Sequence, residues 1–244
     1  MRIIQLIPGT ADTFYCENCL RDHGLMRQLR ALDHDVLMVP LYLPLVVNGE
    51  ASEDGTPLFF GGINVYLQQR YSLFRHTPRW MDRLLDARGL LSWVSKQFGM
   101  TDARELGNTT ISMLRGEAGH QVKELNRLVD WLVDQPRPDV IALSNILLIG
   151  AAHELKRRLG APLVCMLQDE DEFLDELPDD LREQCESLLA DRAEQIDLFI
   201  AASDYYADIA AERFRLPRDR IRVVPNGLDV AEYPRANPPT PPVV

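Results

Sequence analysis

Residues 197–234 read DLFIAASDYYADIAAERFRLPRDRIRVVPNGLDVAEYP, and this stretch decides the fold class. The apolar run at 198–202 predicts a buried strand that ends at Ser203, whose hydroxyl can cap the start of a helix. Residues 221–224 predict a second strand, and Pro225-Asn226-Gly227 predicts a turn because Asn and Gly tolerate positive φ. The unit therefore places Ser203 and the Asn-Gly pair at the carboxyl ends of parallel strands, which face the ligand crevice of such sheets.

Strands and helices alternate along the rest of the chain. Four near-continuous apolar runs are typical of buried parallel strands: residues 2–7, 36–39, 140–143 and 163–167. The alternation predicts an α/β fold, a Rossmann-like and mostly parallel sheet with helices on both faces. Residues 58–67, entered through a glycine pair, predict a further strand. Residues 78–135 predict a helical insertion that is broken at glycines, Gly107 among them.

Composition and charge exclude several classes of protein. The chain has 244 residues, of which 46% are hydrophobic, and its formal net charge of −11 argues against non-specific nucleic-acid binding. Four cysteines are too few for a disulfide scaffold, and no apolar run is long enough to span a bilayer. The apolar N-terminus is too short for a secretory signal and passes straight into a strand, so we expect a cytoplasmic location.

The stretch quoted above resembles the end of the N-terminal domain of family 4 glycosyltransferases, which are retaining enzymes of the GT-B fold. Ser203 before a helix and the sequence VVPNGLD at 223–229 carry the resemblance. It implies transfer of a sugar, with retention, from a nucleotide-sugar donor to a hydroxyl of a carbohydrate, lipid or small-molecule acceptor. It also implies that residues 1–233 form the acceptor-side domain.

The Pro-rich residues 234–244 are then expected to be a linker to a donor-binding C-terminal domain, without which the chain is inactive. In the family, most contacts to the donor come from that second domain. A non-catalytic sugar- or nucleotide-binding module of the same fold stays open as the alternative.

Gly9 and Thr10 end the first predicted strand ahead of a helix. Backbone amides at such a turn can approach a phosphate, and the helix dipole favours the negative charge. The resemblance places this loop near the phosphates of the donor, which makes Gly9 and Thr10 the candidate donor-phosphate residues. The family usually has a glycine pair here and this chain has one glycine, so an ordinary strand-to-helix turn stays open.

The candidate acceptor and sugar residues all follow predicted strands: Asn145, Gln168, Asp169, Ser203, Asn226 and Gly227. Asn145 offers donors and acceptors in fixed directions, as sugar hydroxyls require, although helix capping is the plain alternative. Gln168 stands where many family members have a histidine that faces the acceptor and sugar. Its amide can bind a hydroxyl but cannot act as a general base. The sequence therefore identifies no catalytic residue.

Two short motifs raise the question of metal or redox chemistry. Cys16 and Cys19 form a CxxC at a predicted helix start, where helix amides lower a thiol pKa, but no further zinc ligands are evident. Asp169 and Asp171 form a D-x-D that could hold Mg²⁺, yet the GT-B fold does not generally need that metal. Asp171 also suits a helix N-terminus. We therefore expect free thiols, no metal site and no cofactor.

Overall fold

The computed structural model describes residues 1–9, 17–42, 46–47, 50–51, 57, 59–60, 62–71, 74 and 102–227. The strands are β1 (Arg2–Ile7), β2 (Asp35–Pro40), β3 (Val46–Val47), β4 (Glu50–Ala51), β5 (Val140–Leu143), β6 (Leu163–Leu167), β7 (Leu198–Ala201) and β8 (Ile221–Val223). The α-helices are α1 (Glu17–Ala31), α2 (Gly62–Arg70), α3 (Ala103–Leu114), α4 (Val122–Val133), α5 (Ala152–Leu159), α6 (Glu170–Asp175), α7 (Asp179–Ala193) and α8 (Asp204–Arg213). Short 3-10 helices lie at Gly116–Ala118, Ile146–Ala151 and Arg218–Arg220.

Six of the strands form one parallel sheet in the order β2-β1-β5-β6-β7-β8, while β3 and β4 pair separately and antiparallel. The chain leaves β1 towards β2 in one direction, and from β5 it proceeds through β6 and β7 to β8 in the other. The connections thus diverge at the boundary between β1 and β5. Such a switch point opens a crevice beyond the carboxyl ends of the two strands.

Alternate side chains of each strand point to opposite faces of the sheet. Ile4 and Leu6 of β1 are buried in the larger core, to which helices α3 to α8 all contribute. Ile3 and Ile7 point the other way and pack with Met26 of α1. Helices therefore cover both faces, and the predicted Rossmann-like α/β fold is confirmed.

The α1 face of the sheet stays partly open beside that helix. A groove of about 640 Å³ runs between α1 and the strands from β5 to β8. Along β6, residues Leu163, Cys165 and Leu167 are buried against α-helices, whereas Val164 and Met166 line the groove and are half-buried. The two faces of the sheet are therefore unequally packed in the described part of the chain.

The predicted strand at 58–67 is wrong, because residues 62–70 form helix α2. Leu, Gln and Arg are good helix formers, and the helix is fixed by tertiary contacts that no local pattern reveals. Gln68 donates to the Glu124 carboxylate on α4 at 3.1 Å, and both side chains are buried. Tertiary packing thus decided the conformation of a segment whose residues are compatible with both states.

Two glycine predictions are also wrong. Gly107 lies inside α3 rather than breaking a helix, and it allows close approach of α7, since an added Cβ would lie 2.8 Å from Leu181 Cδ1. Asn226 and Gly227 form no turn and have no positive φ. Instead, the Val224 N–H donates to a carbonyl oxygen of β7 at 2.9 Å, which continues the ladder past β8.

Candidate functional site

The predicted site residues lie along the carboxyl edge of the parallel sheet. The order along this edge is Gly9 after β1, Asn145 after β5, Gln168 and Asp169 after β6, Ser203 after β7, and Asn226-Gly227 after β8. Neighbouring strands are about 4.8 Å apart, so Asn145 and Asn226 are about 14 Å apart along the edge. The edge can therefore accommodate an extended ligand, and its polar groups concentrate at the switch point.

Gly9 lies two residues after the end of β1 with a φ of 96°, a conformation that favours glycine because it has no Cβ. A tight turn away from the strand is thus built into the backbone at the switch point. Thr10 lies outside the described residues. The phosphate contact of Gly9 and Thr10 therefore stays a prediction.

Arg21 of α1 connects the polar groups at the switch point. Its Nε and Nη2 donate to Asp22 Oδ1 at 2.9 and 2.7 Å, and Nη2 also donates to the Ser144 carbonyl oxygen at 2.9 Å. Its Nη1 donates to the side-chain oxygen Oε1 of Gln168. The side chain of Arg21 is only 13% exposed. The guanidinium thus bridges from α1 across the end of β5 to the end of β6.

Asp22 balances the charge of this guanidinium. Its side chain has no exposed surface, and burial raises the pKa of its carboxyl group, while Arg21 acts in the opposite direction. Gln5 of β1 donates from Nε2 to Asp22 Oδ2 at 3.2 Å. Because the cation is paired in a buried position, the switch point offers directed hydrogen bonds rather than a strong positive field.

Two buried polar atoms near the switch point have no hydrogen-bond partner among the described residues: Gln5 Oε1 and Asn145 Oδ1. Buried polar groups in folded proteins are nearly always paired, with protein or with water. Such atoms are therefore available to ligand hydroxyls or ordered water. Asn145, which the sequence predicted as a site residue, is 9% exposed.

Glu170, at the start of α6, ties three strand ends together. Its Oε1 accepts from the Ile146 N–H at 3.0 Å, and its Oε2 accepts from the Gln168 N–H at 2.8 Å and from the Tyr206 hydroxyl at 2.8 Å. The Tyr206 oxygen in turn accepts from the Glu170 N–H at 2.9 Å. The loops after β5 and β6 and the first turn of α8 are thus fixed by one carboxylate.

Burial of the contact between Glu170 and Tyr206 shifts the pKa values of both groups. Burial raises the pKa of the Glu170 carboxyl, and the three donors oppose that effect. Burial also raises the pKa of the Tyr206 phenol, and the nearby Glu170 carboxylate raises it further, so the hydroxyl keeps its proton and donates. Since both Glu170 oxygens already accept hydrogen bonds, this carboxylate holds the loops in place and does not present a base to a ligand.

The remaining predicted residues are more exposed. Ser203 Oγ accepts from the Tyr206 N–H at 3.2 Å, which confirms its predicted role as the N-cap of α8. Asn226 and Gly227 are exposed and line the groove beside α1. Asp169 is exposed at the N-cap position of α6, and Asp171 lies in the first turn of that helix, where acidic side chains complement the dipole.

The predictions about metal and redox chemistry stay predictions. Within the described ranges, no group of three or more His, Cys, Asp or Glu residues is placed to hold a metal ion. Cys16 lies outside those ranges, and only the backbone of Cys19 is described, so the CxxC prediction stays a prediction. The described helices include none long and apolar enough to cross a membrane.

Sequence reasoning missed Arg21, Asp22 and Glu170. The one available signal was a pair of adjacent opposite charges inside the predicted first helix, in a segment otherwise expected to pack on the sheet. Glu170 was not identified because it lies between the two aspartates of the D-x-D motif. Those aspartates suggested metal binding or a favourable interaction with the helix dipole. Burial, which distinguishes Glu170 from its acidic neighbours, is a property of the fold alone.

Residues 107–232 match the family model described as Glycosyltransferase Family 4, which covers just over half of the chain. The matched region runs from α3 beyond β8 and includes Asn145, Gln168 and Ser203. No curated protein matches the chain. The extent of the family match and the parallel sheet together show that the chain belongs to Glycosyltransferase Family 4.

Proposed function

We propose that this chain is the acceptor-side half of an enzyme that moves a sugar from a nucleotide-sugar donor to an acceptor hydroxyl with retention at the anomeric carbon. The observation that carries the proposal is the polar cluster at the switch point. Arg21, Ser144 and Gln168 come from three different elements and meet at the carboxyl edge of the sheet. Ligands of open α/β sheets bind at this place.

The chemistry of the described residues suits positioning of a hydroxylated ligand. Asn145 and Gln168 are amides, which orient sugar hydroxyls but do not titrate. Glu170 is buried and both of its carboxylate oxygens accept hydrogen bonds from the protein, so it does not serve as a base. Holding the acceptor hydroxyl against the reactive carbon supplies a large part of the rate in such a reaction. In this proposal the chain contributes binding and orientation on the acceptor side.

Donor binding is assigned to a second domain, as the family resemblance implies. Residues 1–233 form the acceptor-side domain, and residues 234–244 lead to the donor-binding domain. Gly9 and Thr10 contribute at most a backbone contact to the phosphates, supported by the positive φ of Gly9. The proposal includes a cytoplasmic site of action, supported by the free thiols of the buried Cys165 and Cys185.

The test compares the 244-residue chain with a version extended through the next encoded domain. Both are incubated with a panel of nucleotide sugars and hydroxylated acceptors, and release of nucleotide diphosphate and the anomeric configuration of the product are measured. We expect turnover by the extended protein and none by the short chain, since domain closure completes such a site. Turnover by the short chain that equals the long one would refute the assignment of the donor site. Binding without turnover by the extended protein would identify a sugar- or nucleotide-binding module.

A further inference from the structure

We infer that Arg21 is a positioning residue that fixes the amide orientation of Gln168, so that the crevice presents an N–H donor at the end of β6. The inference extends the proposed function, on which it rests for the nature of the ligand. Gln168 receives the Arg21 Nη1 donor on its side-chain oxygen. Its Nε2 group has no protein partner in the described part of the chain and remains available.

The orientation follows from the chemistry of the two groups. A guanidinium has five N–H donors and no acceptor, so only the oxygen of the Gln168 amide can face Arg21. The opposite rotamer would set N–H against N–H across a largely buried contact and leave both groups without a partner. Such a loss costs more than the bond itself contributes. The amide nitrogen is therefore directed away from Arg21.

Arg21 can fix this orientation because it is itself held on several sides. Asp22 accepts from two of its nitrogens, and the Ser144 carbonyl oxygen accepts from Nη2. These partners belong to α1 and to the loop after β5, which are separate from the loop that carries Gln168. The guanidinium is thus an anchored reference point for the Gln168 side chain.

The backbone of Gln168 is fixed independently, through Glu170. The Gln168 N–H donates to Glu170 Oε2 at 2.8 Å, and the same carboxylate holds the Ile146 N–H of the neighbouring loop. Main chain and side chain of Gln168 are therefore set by different charged residues. A donor held in this way loses little freedom when it binds, which is the condition for a specific contact.

A fixed N–H donor selects for an oxygen acceptor on the ligand. Sugar hydroxyl oxygens and phosphate oxygens both have that chemistry. Binding of methyl α-D-glucopyranoside by the wild-type chain identifies a sugar hydroxyl as the acceptor, whereas binding of UDP-glucose but not of the glucoside identifies the diphosphate. Binding is measured by saturation-transfer NMR, which detects weak association.

Two substitutions at Gln168 separate the donor from the acceptor. Gln168→Glu keeps an oxygen facing Arg21, replaces the N–H donor with a carboxylate oxygen and adds a negative charge beside the Arg21 cation, so we expect an unfolding midpoint no more than about 2 °C below wild type. Gln168→Met removes both groups and leaves a buried Arg21 N–H unpaired, so we expect a midpoint lower by about 2–8 °C. The compound that the wild-type chain binds is the probe for the variants. Both variants should bind the probe about five- to tenfold more weakly than the wild-type chain does.

Arg192 provides a matched control for Arg21. Its side chain is 12% exposed, pairs with Glu117 through two nitrogens, and donates to the carbonyl oxygens of Arg115 and Gly150. We expect Arg21→Lys and Arg192→Lys to lower the unfolding midpoint to a similar extent. Only Arg21→Lys should weaken binding of the probe. In a chain that already carries Gln168→Met, the further change Arg21→Lys should not weaken binding any more.

Each outcome decides the inference. It is overturned if Gln168→Glu binds the probe as wild type does, if Gln168→Glu unfolds as low as Gln168→Met, or if Arg192→Lys weakens binding as much as Arg21→Lys. If the wild-type chain binds neither probe, the proposed ligand class fails at this site. The orientation of Gln168 is then still judged from the two unfolding midpoints, so the two failures are distinguishable.

Discussion

Glu170 is the single residue whose ionisation bears most directly on the crevice. Burial raises the pKa of its carboxyl above the ordinary value of 4.5, so the folded protein binds the proton more tightly than the unfolded chain. The free energy of unfolding therefore falls as the pH rises from about 4.5 through the folded pKa. We expect Glu170→Gln to remove this dependence, so that the difference between variant and wild type changes across that window. Urea unfolding from about pH 4 to about pH 7 measures it.

Asp197 is the control for this experiment. Glu170 binds the chain just after the end of β6, and Asp197 binds the start of the same strand. It accepts from the Leu163 N–H at 2.8 Å and pairs with Lys156 at 2.8 Å. Burial would raise the pKa of Asp197, but these partners outweigh it and lower the pKa below 3.8. Its contribution is lost only as the pH falls through that lower value. Asp197→Asn should thus show a constant loss over the same window, and parallel curves for Glu170→Gln and wild type would contradict the prediction.

Sequence patterns predicted the residues at strand ends but not the groups that hold them. Gln168 and Asn145 follow apolar runs, and an apolar run that ends in a polar residue can be recognised from the sequence alone. The partners Arg21 and Glu170 are defined by contacts across 147 and 24 positions of the chain, to Gln168 and Ile146 respectively. No periodicity reports such contacts, because they depend on which strands become neighbours.

At the scale of elements, the chain around the end of α3 packs closely against the 3-10 helix Ile146–Ala151, and the two glycines at this contact are Gly116 and Gly150. A Cβ added to Gly150 would lie 2.0 Å from the Met113 carbonyl oxygen, closer than any real contact allows. We expect Gly150→Ala to lower the free energy of unfolding by about 2–4 kcal/mol, because one of the elements must shift. Denaturant unfolding monitored by circular dichroism measures this.

Gly24 of α1 is the matched glycine for this comparison, because no atom of the residues that the structure describes lies within 4 Å of its added Cβ. Alanine is the better helix former, so Gly24→Ala should raise the free energy of unfolding by about 0.5–1 kcal/mol. Equal effects of the two substitutions would show that the close crossing is absent in solution. Since the 3-10 helix begins at Ile146, whose N–H binds Glu170, displacement of this helix would also move Asn145.

Elements with continuous apolar runs were the ones the sequence predicted best. The strands β1, β5 and β6 coincide with their apolar runs, because a strand inside a parallel sheet carries apolar residues towards both faces and leaves a continuous hydrophobic signal. The segment 62–70 failed for the opposite reason. Its polar and apolar residues fit a helix and a strand alike, and contacts to α4 decide between them. Local signals are decisive only where the apolar run is continuous.

At the scale of the whole molecule, the chain order makes the two faces of the sheet unequal. Only the connection from β1 to β2 runs over one face of the sheet in the described part of the chain, and it brings α1 there. The connections from β5 to β8 supply α5 to α8 on the other face. The groove beside α1 follows from this topology. Arg21 lines the groove and contacts Gln168 at the carboxyl edge of the sheet.

This asymmetry predicts unequal effects of truncation at neighbouring positions of β6. Leu167 is 1% exposed in the main core, so Leu167→Ala should lower the free energy of unfolding by about 2–5 kcal/mol through lost burial and a new cavity. Met166 is half-buried at the groove, so Met166→Ala should cost about 1 kcal/mol or less. Denaturant unfolding of both variants checks the ratio. If Met166→Ala costs as much as Leu167→Ala, something fills the groove in solution and buries Met166 as completely as its neighbour.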